Sequence, residues 1–150
     1  MGTTLTAALI VDTKTSVMAY VVNAGDSRTY LLGKGEPLLQ ITRDHSLVAN
    51  LVAAGAIAPN DVYEHPERNK IYRSLGNSAS IDIDWFTREL RSGDTLLLCS
   101  DGLWEMVRDP EIERILRQPD EPTALCNQLI QSALQGGGAD NISAIVVRIA

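Results

Sequence analysis

The chain has 150 residues, with 13 Lys and Arg against 19 Asp and Glu, giving a formal net charge of −6. A composition of 45% hydrophobic and 21% charged residues suits one globular core and excludes a disordered tail, a collagen repeat or a coiled coil. The acidic balance, without any Lys/Arg cluster, excludes a nucleic-acid-binding surface and disfavours a membrane surface, because both need cations to neutralise phosphates.

With one Phe, two Trp and four Tyr, the core has to be built from Val, Ile, Leu and Ala. Cys99 and Cys126 lie in apolar runs and are too few for a disulfide scaffold or a zinc site, which points to a reducing compartment. No apolar run reaches the ~18 residues of a membrane span, and no basic-then-apolar leader opens the chain. The expectation is a soluble, cytoplasmic protein.

Met1-Gly2-Thr3-Thr4 leads straight into an apolar segment, as if the chain began in mid-domain. Strands are predicted at Thr4–Val11, Val17–Ala24, Arg28–Leu32 and Pro37–Ile41, separated by turns at Asp12–Thr15 and Gly33-Lys34-Gly35. The first two are apolar almost throughout, which predicts cover on both faces by a second sheet and by helices. Ser46 reads as the cap of a helix bearing Leu47, Val48, Leu51 and Val52 and closed by Gly55.

Residues Gly55–Asn77 are polar and irregular, with at most one short helix, and a loop that long is often functional. Strands return at Ile81–Arg88 and Thr95–Cys99. Asp109-Pro110 reads as a cap and first-turn proline for a helix with a stripe of Ile112, Ile115 and Leu116. Pro122 opens another, with Leu125, Leu129, Ile130, Ala133 and Leu134 at helical spacing up to Gly136. Ile142–Ile149 is the last strand.

Three aspartates stand where an apolar strand meets a turn: Asp26 in Gly25-Asp26-Ser27, Asp101 in Ser100-Asp101-Gly102 and Asp140 in Ala139-Asp140-Asn141. Each alone is an ordinary turn residue that bonds its local backbone. If they converge, two such charges about 4 Å apart repel by roughly 4 kcal/mol at an effective dielectric near 20. Arg28 is the one nearby base, so a hard divalent cation, Mg²⁺ or Mn²⁺, is the natural partner of such an all-oxygen set.

These segments, together with Thr42-Arg43-Asp44-His45-Ser46 and Gly93-Asp94-Thr95 to Leu103-Trp104, resemble in order the motifs of the metal-dependent type 2C (PPM) serine/threonine protein phosphatases of bacteria. The resemblance implies an α+β fold, a four-layer αββα sandwich of two antiparallel sheets flanked by helices, with two or three Mg²⁺ or Mn²⁺ ions between the sheets. It implies Asp101, Asp140 and Asp26 as metal ligands, with Gly102 and Asn141 in support, the latter through side-chain hydrogen bonds. The excursion over about 46–77 resembles the family's flap, and Arg73 lies in its closing motif, where a guanidinium would contact acidic groups.

The implied activity is hydrolysis of phosphoserine and phosphothreonine in proteins by a metal-activated water, within kinase-linked signalling. No protein nucleophile is needed, so Ser74, Ser100 and Cys99 are not read as nucleophiles. His45 reads as a loop residue ahead of the Ser46 cap, His65 as a flap surface residue, Trp104 as packing beneath the Asp101 turn, and Gly136–Gly138 as a connector. The family's earlier acidic motifs and its phosphate-binding Arg precede the Met-Gly-Thr-Thr motif. Residues 1–150 are therefore expected to correspond to the C-terminal part of the catalytic domain, inactive or impaired alone and prone to self-association through exposed sheet edges. The other reading is a non-catalytic interaction or regulatory module on the same scaffold.

Overall fold

The computed structural model describes residues 1–150. Its elements run β1 (Leu5–Asp12), β2 (Val17–Ala24), β3 (Arg28–Leu32), β4 (Leu39–Gln40), α1 (Leu47–Ala53), β5 (Asp84–Leu90), β6 (Thr95–Cys99), α2 (Asp101–Trp104), α3 (Asp109–Leu116), α4 (Pro122–Gln135) and β7 (Ala144–Arg148). The β-branched and aliphatic runs pair into two sheets, β1-β2-β5 and β4-β3-β6-β7, antiparallel throughout. The chain passes from the first sheet to the second at Gly25-Asp26-Ser27, between β2 and β3.

Alternation along the strands divides the core in two. Ala19, Val21 and Leu90 of the first sheet meet Leu96 of the second, with Ile10, Phe86, Leu31 and Leu98 packed around them. On the far face of the second sheet, Tyr30, Leu32, Leu97, Cys99 and Val146 lie beneath Leu103, Trp104, Ile112, Ile115, Leu125 and Leu129 of the helices. The expected pair of antiparallel sheets with flanking helices is present.

The first two strands are not covered on both faces as their apolar runs predict. Leu5, Leu9, Tyr20 and Trp85 on the outer face of the first sheet are 46%, 63%, 40% and 72% exposed. The cause is topological: α2, α3 and α4 all pack on the other sheet.

The excursion between Ser46 and Asn77 holds α1 and a 3₁₀ turn at Pro59–Tyr63. Ser46 caps α1 as expected, accepting the Ala49 amide at 3.3 Å. The excursion is rooted at both ends, since Leu47 N–H donates to the Lys70 carbonyl at 2.9 Å and Tyr72 N–H to that of His45 at 3.0 Å. Arg108, and not Asp109, is the N-cap of α3; the Asp109 carboxylate instead accepts the Tyr30 hydroxyl at 3.1 Å. The β5 strand begins at Asp84 where Ile81 was expected, and the single turn of α2 was not foreseen.

Candidate metal centre

Asp26 occupies the crossing between the sheets and is 5% exposed. Three neighbours fix its backbone. Gly25, at φ 114°, leaves no room for a Cβ, which would lie 2.4 Å from Thr4 Cγ2. Ser27 Oγ is 2.8 Å from Thr4 Oγ1, and the Trp104 indole N–H donates to the Asp26 carbonyl at 2.9 Å. No other residue donates a hydrogen bond to the Asp26 carboxylate. Burial, then the charges of Asp101 and Asp44, push its pKa up to about 7.

Asp101 begins α2 directly after β6, and its Oδ1 accepts the Gly102 amide at 2.8 Å. Burial raises its pKa, the Gly102 amide opposes that, and the charge of Asp140 adds to it. Asp140 is exposed and accepts the Asn141 amide at 2.7 Å. The support Asn141 gives its neighbour therefore runs through its backbone amide and not, as the resemblance implied, through its side chain. Gly102 is needed for contact: a Cβ there would sit 2.3 Å from the Asn141 carbonyl oxygen. Ser100 completes the joint, its Oγ accepting the Ser143 amide at 2.9 Å and donating to the Asn141 carbonyl at 3.2 Å.

The charge of Asp101 raises the pKa of Asp26, and that of Asp140 raises the pKa of Asp101. No three His, Cys, Asp or Glu side chains close on a single point. Sequence reasoning missed Glu105; burial and the charge of Asp101 raise its pKa, and Arg68 of the flap, 4.0 Å away, opposes them.

Arg28 makes no hydrogen bond to these carboxylates, although its charge opposes the rise at Glu105. Its guanidinium is buried over the Trp104 ring, 3.5 Å from the centroid, and is taken by Asp44 at 2.6 Å. Trp104 is packing, as expected, but also a donor and a platform for Arg28. Arg73 meets an acidic group, Asp84, at 2.9 Å, and none of the three aspartates. His45 is buried, accepts the Gly25 amide at 3.0 Å and lies 3.0 Å from Asp84; the polar run Thr42–His45 ahead of a helix cap was the signal for it. A cleft of about 1140 Å³ between flap and body is lined by Arg43, Asp44, His45, Tyr63, Arg73 and Asp84, and the three aspartates lie outside it.

The three aspartates offer the kind of donor a hard divalent cation takes, though they do not close on a single point. The set is all oxygen and crowded with like charge, and its most buried carboxylate has no other partner to offset it.

The family model for stage II sporulation protein E (SpoIIE) matches residues 1–150. A serine/threonine phosphatase (stp) of Listeria monocytogenes is 40% identical over 147 residues, 98% of this chain and 56% of the relative. The crystal structure of the serine/threonine phosphatase Stp1 from Staphylococcus aureus superposes with a TM-score of 0.93 at 37% identity, over 100% of this chain and 57% of that one. The catalytic domain of the serine/threonine protein phosphatase PstP, in complex with two manganese ions, matches at 40% identity and a TM-score of 0.87, over 100% of this chain and 60% of that one. The chain belongs to the SpoIIE/PPM family of metal-dependent serine/threonine protein phosphatases. It spans little more than half the length of these relatives.

Proposed function

We propose that this chain is the C-terminal part of a PPM catalytic domain, residues 46–77 being its flap. The parent protein hydrolyses phosphoserine and phosphothreonine in proteins. The observation that carries the reading is where the fold puts three carboxylates, Asp26 at the crossing between the sheets, Asp101 at the start of α2 after β6 and Asp140 ahead of β7, in a chain that the family model matches over residues 1–150.

Asp26, Asp101 and Asp140 are the residues that would hold Mg²⁺ or Mn²⁺, which when bound neutralises phosphate oxygens and activates the attacking water. Cys99, Ser100 and Ser74 are not read as nucleophiles. Burial pushes the Cys99 thiol up to about 12. The Ser100 hydroxyl is spent on Asn141 and Ser143, and that of Ser74 accepts from Asn77 at 2.6 Å. The proposed nucleophile is water, as the family resemblance implies.

No helix is long and apolar enough to cross a membrane. We place the parent among cytoplasmic, kinase-linked phosphatases acting on phosphorylated Ser/Thr proteins, and expect the 150-residue chain alone to be impaired and to self-associate through its sheet edges. The test is Mn²⁺-dependent release of phosphate from a phosphothreonine peptide by the full-length gene product, with Asp101→Asn beside it. The substitution should lower turnover at least ~100-fold, given what metal-held water contributes. Retained activity would remove Asp101 from the ligand set, and rapid turnover by the 150-residue chain alone would overturn its impairment.

A further inference from the structure

We infer that His45 is a positioning residue for Asp26, acting through the Gly25 amide; this rests on the metal reading above. His45 is 3% exposed and holds Gly25 at two points. Its backbone N–H donates to the Gly25 carbonyl at 3.0 Å, and its Nδ1 accepts the Gly25 N–H at 3.0 Å. A backbone amide only donates, so Nδ1 carries no proton and Nε2 does. Nε2–H then points to Asp84 Oδ2, 3.0 Å away. Arg73 Nη1 lies 3.1 Å from the same Nε2, but two donors cannot bond, and its partner is Asp84 Oδ1 at 2.9 Å. The ring is thereby fixed in one tautomer and one orientation, with its acceptor aimed at the residue before Asp26.

The turn needs such a restraint. Gly25 sits at φ 114° against Thr4, and the next residue carries a buried carboxylate with no donor from another residue, facing the like charge of Asp101. Without Nδ1 the Gly25 amide is a buried donor left unpaired, which the turn relieves only by moving. The Asp26 carboxylate moves with it. Loss of an outer hydrogen bond that orients a ligand typically costs ~10- to 100-fold in metal affinity.

The test uses the isotope-labelled full-length gene product, with Mn²⁺ as the probe and His45→Asn, His45→Gln and His45→Ala as variants. Hydrogen exchange of the Gly25 amide reads the clamp, and paramagnetic broadening of the Asp26 and Asp101 amides reads metal binding. The Asn side-chain oxygen reaches the place of Nδ1 and should keep both Gly25 protection and the Mn²⁺ midpoint within ~3-fold. Gln supplies the donor to Asp84 but no acceptor to Gly25, so Gln and Ala should lose that protection and weaken Mn²⁺ about 10-fold or more. A Gln variant with an unprotected Gly25 amide and an unchanged midpoint would overturn the inference alone. So would Asn and Gln variants weakened equally while Gly25 stays protected. Absence of broadening in the wild-type full-length protein would sink the metal reading and this inference with it.

Discussion

Burial, then the charges of Asp101 and Asp44, take the Asp26 carboxyl from its ordinary 3.8 to about 7. Below pH 3.8 folded and unfolded chains both hold that proton; between 3.8 and about 7 only the folded chain does. The stability linked to this proton is therefore complete below pH 3.8 and is lost as pH rises through the window to about 7. At ~1.4 kcal/mol per pH unit the loss is on the order of 4 kcal/mol at most. Asp26→Asn replaces the carboxylate by a neutral group of the same shape. In metal-free buffer it should raise the urea midpoint at pH 8 and leave it nearly unchanged at pH 4. Equal pH slopes for the two proteins would show that Asp26 is not the strained group. A residue that weakens the metal-free fold at neutral pH is what a cation site requires, since the ion supplies the missing charge.

At the scale of elements, α2 meets the loop before β7 through a glycine. Gly102→Ala would put a Cβ 2.3 Å from the Asn141 carbonyl and 3.4 Å from the Asp140 carbonyl carbon, so the two segments must part. Overpacking of this kind costs ~1–3 kcal/mol. Equilibrium unfolding should record that loss, and a variant as stable as the wild type would show that the loop yields freely. This joint also marks the limit of what local pattern reveals. The strands declare themselves by their aliphatic runs, and α3 and α4 by first-turn prolines and apolar stripes. Helix α2 is four residues long and has no period to read, and Ile81 and Ile83 alternate like a strand without joining the ladder. The aspartates were legible as carboxylates at strand ends. Their supports were not, because His45 reaches Gly25 across 20 positions and Trp104 reaches Asp26 across 78, and no local spacing encodes either contact.

At the scale of the molecule, the first sheet is unfinished on two sides. Strand β1 pairs only with β2, and Leu5–Val11 carries no charged residue to keep another strand from its free edge. The outer face beside that edge shows Leu5, Leu9, Tyr20 and Trp85 in one apolar surface. Two copies meeting β1 against β1 about a two-fold axis would make one six-stranded sheet and pair both free edges in a single closed contact. The isolated 150-residue chain should therefore associate as its concentration rises, seen as a growing mass in light scattering, with slowed hydrogen exchange at the outward amides of β1. Leu9→Lys places a charge at the centre of that strand and should return the chain to monomer, while the helix-side core, which Leu9 does not touch, keeps its cooperative unfolding. A wild-type chain that stays monomeric at millimolar concentration would mean that the uncharged edge is protected by its own twist, and the pairing would then have to be abandoned.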